Sequence, residues 1–232
     1  MPFLPKNQKE STECVILLHG MGRTKRSMSL LERRLRKAGF NTANIGYPSL
    51  SRNIKQIADE HLAPAIDRCK AEGASRVHLV THSLGGIIVR QYLQESKLPA
   101  GSRIVMLAPP NQGSELAELL KKNFFYRWLM GPAAQELGIG PDSVPLSLGP
   151  IPVETGIITG TRSLMPFSNM IFKGPNDGKV SIERAKLTGM RDFLVLAAGH
   201  SFIMRNHTVI KQVIHFLQHG VFDHAGRRPH GA

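Results

Sequence analysis

Short runs of apolar, β-branched residues alternate along this chain with longer stretches in which apolar side chains recur every three or four positions. Residues 14–19 (CVILLH) are the first short run, and Gly20, Met21 and Gly22 follow at once, which predicts a buried strand ending in a glycine turn. From Ser27 to Ala38, Met28, Leu31, Leu35 and Ala38 fall on one helical face, with Glu32, Arg33, Arg34, Arg36 and Lys37 away from it. The unit then repeats. Residues 41–47 (NTANIGY) predict a strand, and Ile54, Ile57, Ala58, His61, Leu62, Ala65, Ile66 and Cys69 keep helical spacing. Pro64 inside that spacing removes a backbone donor and predicts a kink or two shorter helices. Residues 76–82 (RVHLVTH) predict a third strand, 84–95 a third helix and 103–108 (RIVMLA) a fourth strand. Alternation of this kind implies a parallel sheet with helices on both faces.

The order breaks after the fourth strand. Residues 109–152 hold a helical patch, ELAELLKKNFFYRWLM, followed by a stretch rich in proline and glycine. Strand-like GIITGT (156–161) and DFLVLAAG (192–199) come next, and Ile203 to Leu217 predict a closing helix with Ile210, Val213, Ile214 and Leu217 on one face. From about residue 220 the chain reads as a loose polar tail.

A length of 232 residues with 41% hydrophobic and 20% charged residues predicts one globular domain over 1–232. No leader-like apolar region precedes the first strand and no run approaches the ~18 apolar residues of a spanning helix, so a soluble, unexported protein is expected. Cys14 and Cys69 are expected as two reduced thiols, with the cytoplasm as compartment. The net charge of +13 favours anionic partners, an acidic lipid surface among them. No nucleic-acid module is recognisable, and no zinc spacing or phosphate-binding G-x-x-x-x-G-K occurs, so nucleic acid, metal and cofactor are not expected.

The candidate chemistry centres on LVTHSLGG, residues 79–86. Ser83 sits where a parallel strand turns into a helix, at the sheet edge where open α/β sheets place their ligands. Gly85 and Gly86 let the helix pack close, and the helix beginning at Leu84 offers unpaired N–H groups to a developing anion. With Thr81 in the first glycine position of G-x-S-x-G, this elbow, together with HGMG at 19–22, resembles the α/β-hydrolase superfamily, in particular its compact lipase and esterase group.

That resemblance implies a minimal α/β-hydrolase fold of about six mostly parallel strands, with a lid-like insertion at about 110–152. It implies acyl-ester hydrolysis through a Ser-His-Asp triad with an acyl ester or lipid as substrate. Ser83 is then the nucleophile, and the order Ser, Asp, His places the base downstream. His200, directly after the last strand, takes that role by resemblance, with His207 as its rival; Asp177, in GPNDGKVS (174–181), resembles the acid, with Glu183 its nearest substitute and Asp142 and Asp192 fitting less well. The backbone amides of Met21 and Leu84 are expected to form the oxyanion hole, with His19 shaping the turn. His82, one residue before Ser83 on the strand, is expected to point to the opposite side and pack structurally.

The aromatic run FFYRWLM (124–130) suits either a mobile lid, with peripheral contact at an anionic membrane, or the core face of a helix. The alternative functions are an acyltransferase or thioesterase on the same triad, and a non-catalytic hydrolase fold that binds a membrane or protein partner.

Overall fold

The computed structural model describes residues 12–163 and 168–225; the expected tail from 226 onward and the first eleven residues lie outside them. Six strands form one sheet: β1 Glu13–Leu18, β2 Asn41–Ile45, β3 Arg76–His82, β4 Arg103–Leu107, β5 Glu154–Gly160 and β6 Asp192–Leu196. Their order is β2-β1-β3-β4-β5-β6 and every pairing is parallel. Helices α1 (Ser29–Lys37), α2 (Ile54–Ile57), α3 (Ala63–Ala71) and α4 (Leu84–Glu95) make the first crossovers. The later connections carry α5 (Glu115–Leu120), α6 (Phe124–Gln135), α7 (Val144–Ser147), α8 (Ser168–Ile171), α9 (Ile182–Ala185) and the closing α10 (His207–His219).

Period-two alternation divides the core. Ile16 and Leu18 of β1 point into a cluster with α2, α3 and α4, while Val15 and Leu17 meet Leu31 and Leu35 of α1 and Val213 and Phe216 of α10 on the other face. All eight are fully buried, and each contributes roughly 1.5–3 kcal/mol of transfer free energy.

The helix ends differ from expectation for local reasons. A 3-10 turn, Lys25–Met28, precedes α1, and another, His200–Arg205, precedes α10, so Ile203 lies in a turn. Asn206 then starts α10, its side chain accepting the N–H groups of Thr208 at 2.8 Å and Val209 at 3.2 Å. Pro64 falls in the first turn of α3, where its missing donor is harmless. The break comes just before it, as a π turn over Ala58–Leu62 in which the Ala63 N–H donates to the Ala58 carbonyl.

The two cysteines correct the sequence reading. Cys14 and Cys69 are joined in a disulfide with their Cα atoms 6.1 Å apart, because the end of α3 packs over the start of β1. Disulfides belong to oxidising compartments, which removes the ground on which the cytoplasm was expected.

Within the insertion, α6 is interrupted at Gly131, whose φ of 70° and following Pro132 prevent a continuous helix. A side chain at Gly131 would collide with the Leu50 carbonyl, so glycine permits both the turn and the close approach. The first half of α6 leaves Phe124, Phe125, Trp128 and Leu129 largely exposed, and these side chains are not part of the core.

Candidate active site

β3 ends at His82, and one residue turns the chain into α4. That residue, Ser83, has φ 51° and ψ −117°, a strained conformation for a side chain with a Cβ. Two backbone bonds hold it: the Ser83 N–H donates to the Leu107 carbonyl of β4 at 2.9 Å, and the Gly86 N–H donates to the Ser83 carbonyl at 2.9 Å. The neighbours must be small. A Cβ on Gly85 would stand 2.9 Å from Leu18 Cβ, and one on Gly86 would stand 3.1 Å from Pro109 Cβ and 3.4 Å from Thr81 Oγ1. Thr81 is therefore a buried packing residue against the helix.

His200 arrives at the head of the 3-10 turn after β6, and Asp177 on the loop between β5 and β6. His200 Nε2 lies 3.1 Å from Ser83 Oγ, and its Nδ1 lies 2.8 Å from Asp177 Oδ2. The other carboxylate oxygen, Oδ1, accepts the N–H groups of Lys179 at 3.0 Å and Val180 at 2.9 Å. The His200 N–H donates to the Asp177 carbonyl at 3.0 Å, tying the two loops together. Both His200 and Asp177 are buried.

The rivals sit elsewhere. His207 is an exposed residue at the start of α10, and Glu183 of α9 pairs at 2.8 Å with Lys186 just beyond that helix. Asp142 is exposed in the insertion, while Asp192 accepts the Phe222 N–H at 2.7 Å at the start of β6.

His82 packs, as expected, but against the site. Like Val80 it faces the α1 and α10 side, and the turn carrying His200 lies over that same side. Its Nε2 donates to the His200 carbonyl at 3.0 Å, with the two ring centroids 5.1 Å apart. Burial, and then the neighbouring His200, hold its pKa well below the ordinary histidine value, so it stays neutral.

After β1, the Gly22 N–H donates to Ser49 Oγ at 3.1 Å and the Arg23 N–H to the Gly20 carbonyl at 3.2 Å, forming a tight turn around Met21. The Met21 N–H has no partner among the described residues, and the Leu84 N–H opens a helix, where no intrahelical acceptor exists. His19 shapes this turn: its ring stacks on Tyr47 with centroids 4.0 Å apart, and its carbonyl accepts the Tyr47 hydroxyl. Burial lowers the His19 pKa and raises that of Tyr47, so both stay uncharged.

A cavity of about 210 Å³ opens over Ser83 and His200, lined also by Met21 and by an apolar group of Leu116, Leu120, Met130 and Leu137. Sequence reasoning missed two cations that also line it, Arg23 and Lys179; they are 156 positions apart, and no local pattern links them. It also missed the steric role of Gly20, where a Cβ would stand 2.6 Å from His82 Nδ1. Among the described residues no group of three His, Cys, Asp or Glu side chains is placed to hold a metal ion.

A hydroxyl bonded to an imidazole, whose other nitrogen meets a fixed carboxylate, can lose its proton as it attacks a carbonyl carbon.

Several solved structures share this architecture. The mature lipase BlEst2 of Bacillus licheniformis is 18% identical over 88% of this chain and 91% of its own, with a TM-score of 0.69. The phospholipase PlaB of Legionella pneumophila is 19% identical over 90% of this chain but only 59% of its own, at a TM-score of 0.66. The metagenomic carboxyl esterase MGS0156 is 17% identical over 83% of this chain and 65% of its own, at a TM-score of 0.64. Comparison with curated proteins finds no match. The sequence profile described as Alpha/beta hydrolase family matches residues 15–192, most of the chain, from within β1 to the start of β6. On that match and this fold, the chain belongs to the α/β-hydrolase family.

Proposed function

We propose that the protein hydrolyses acyl esters through a serine nucleophile and an acyl-enzyme. The observation that supports this reading is the unbroken chain of hydrogen bonds from Ser83 Oγ through His200 to Asp177, opening into an apolar cavity. Ser83 Oγ attacks the ester carbonyl carbon while its proton passes to His200 Nε2, and the new oxyanion lies towards the Met21 and Leu84 amides. Collapse breaks the bond to the alcohol, whose oxygen takes the proton from Nε2 as it leaves. Water then repeats the sequence: it gives a proton to His200, attacks the acyl carbon, and frees the carboxylic acid and Ser83.

The apolar wall suits the acyl chain, and the lipases and phospholipase among the structural neighbours support a lipid-like ester. In this reading 110–152 is a cover over the cleft in one domain. Its exposed Phe124, Phe125 and Trp128, beside Lys121 and Lys122, and the net charge of +13 would seat the protein on an anionic bilayer. Among the described residues no helix is long and apolar enough to cross a membrane.

The test is turnover of a chromogenic ester series, from short to long acyl chains, by wild type and Ser83→Ala, with and without anionic vesicles. A drop of at least about 10³-fold in kcat for Ser83→Ala is expected. Turnover that survives in Ser83→Ala would overturn the assignment, and vesicles without effect on binding or rate would remove the membrane contact.

A further inference from the structure

The cleft is chemically mixed. Arg23, from the turn after β1, and Lys179, from the Asp177 loop, line it together with the apolar side chains. Arg23 is already aimed: its Nη2 donates to the Ser201 carbonyl at 3.3 Å, and its guanidinium carbon lies 5.5 Å over the Phe202 ring. Neither cation forms an ion pair with a carboxylate among the described residues. The acid nearest in sequence, Asp177, is fully engaged by His200 and by the Lys179 and Val180 amides. Desolvation, and then repulsion from Arg23, hold the Lys179 ammonium below its ordinary pKa, the sign of two positive groups sharing one confined space.

Their place relative to the chemistry gives them a direction. Arg23 is bonded to the residue after His200, and Lys179 lies two residues after Asp177. Both therefore line the cleft on the segments that carry His200 and its carboxylate partner, beside the imidazole that hands its proton to the departing alcohol.

We propose that Arg23 and Lys179 form an anion-binding subsite that selects acyl esters whose alcohol carries a phosphate or carboxylate group. The proposal rests on the hydrolase reading for its chemistry, while the subsite itself is a matter of binding. A phosphate would meet Arg23 with two parallel N–H donors and Lys179 as a point charge, both charge-assisted.

The test compares kcat/KM for octanoyl esters of glycerol, glycerol phosphate and glycerate below their micellar range, in wild type, Arg23→Gln, Lys179→Gln and the double variant, with thermal melts to check folding. Wild type should favour an anionic ester over the neutral one by roughly tenfold or more, and the ratio should fall towards one in the double variant. A wild-type ratio at or below one, or a ratio that survives in the double variant, overturns the proposal. Long-chain phosphatidate against diacylglycerol in neutral micelles separates the sources: preference there as well as with the soluble ester assigns the phosphate wherever it is carried, a lipid headgroup included, and preference with the soluble ester alone assigns a small phosphate-bearing ester.

A second measurement separates the subsite from the hydrolase reading. Octyl phosphate and octanol are titrated calorimetrically into Ser83→Ala with and without the two Gln substitutions. Phosphate-dependent binding that needs Arg23 and Lys179 supports the subsite even if wild type turns over no ester. Equal binding of the two probes, or none, overturns it.

Discussion

Nδ1 of His200 lies 2.8 Å from Oδ2 of Asp177, and the second oxygen of that carboxylate accepts two backbone N–H groups at 3.0 and 2.9 Å. The carboxylate cannot rotate without losing those bonds. An Asp177→Asn side chain would keep its oxygen on the amides and turn its NH₂ towards Nδ1. That forces the imidazole proton onto Nε2, where it can no longer accept from Ser83. We predict a fall of roughly 10⁴-fold in kcat with little change in stability, read by steady-state kinetics and a denaturant melt. Activity within about tenfold of wild type would show that Asp177 does not orient the base.

Gly20 supports the site by having no side chain. A Cβ there would stand 2.6 Å from His82 Nδ1 and 3.3 Å from Ser83 Cβ, and His82 is buried beneath the His200 carbonyl it bonds. Gly20→Ala should therefore push His82 and Ser83 out of register. The expected outcome is a loss of about 10²-fold in kcat/KM with roughly 1–3 kcal/mol of stability. An alanine variant with wild-type kinetics would mean the turn relaxes freely.

Acid should weaken the fold through a histidine remote from the site. His78 is fully buried and its Nδ1 accepts the Arg103 N–H at 2.9 Å. Burial is the main cause that lowers its pKa to about 4, with Glu13 opposing and Arg103 and Arg76 adding to the shift. Above the unfolded value of about 6.5 the residue is neutral in both states and stability is intact; below it the unfolded chain gains a proton that the native state refuses. Stability is thus lost as the pH falls from about 6.5 to about 4, amounting to about 2 kcal/mol by pH 5, with His82 and His19 shifted in the same direction. Urea midpoints across this window should fall, and His78→Asn, which keeps an acceptor near Nδ1, should flatten the dependence.

The Cys14–Cys69 pair closes a long loop, with a sequence separation of 55. Protein purified without reductant should show no thiol on denaturation and two after reduction. The Cys14→Ser, Cys69→Ser double variant should lose up to about 4 kcal/mol by loop-closure entropy. Two thiols before reduction would mean that Cys14 and Cys69 are not paired in solution.

What was legible in the sequence is what depends on local periodicity. All six strands, α1, α4 and the bodies of α3 and α10 follow from apolar spacing, and the elbow at Ser83 from its glycines. What was not legible depends on which distant segments meet. The cysteines pair because α3 crosses back over β1, and His82 faces the site because the turn bearing His200 descends on the same side of the sheet. Phe124, Phe125 and Trp128 fall on no clear face of the pattern, so only the structure shows them exposed. Arg23 and Lys179 converge from segments far apart in the sequence, which local spacing cannot register.

The Ser83 amide bonded to the Leu107 carbonyl makes the elbow the last rung of the β3–β4 ladder rather than part of any loop. The apolar wall of the cleft, by contrast, hangs from α5, α6 and the segment that follows, and its two cations from turns. The scaffold therefore separates reactivity from taste: an engineer, or natural drift, can exchange the insertion wholesale and retune what enters while the hydroxyl keeps its position on the sheet.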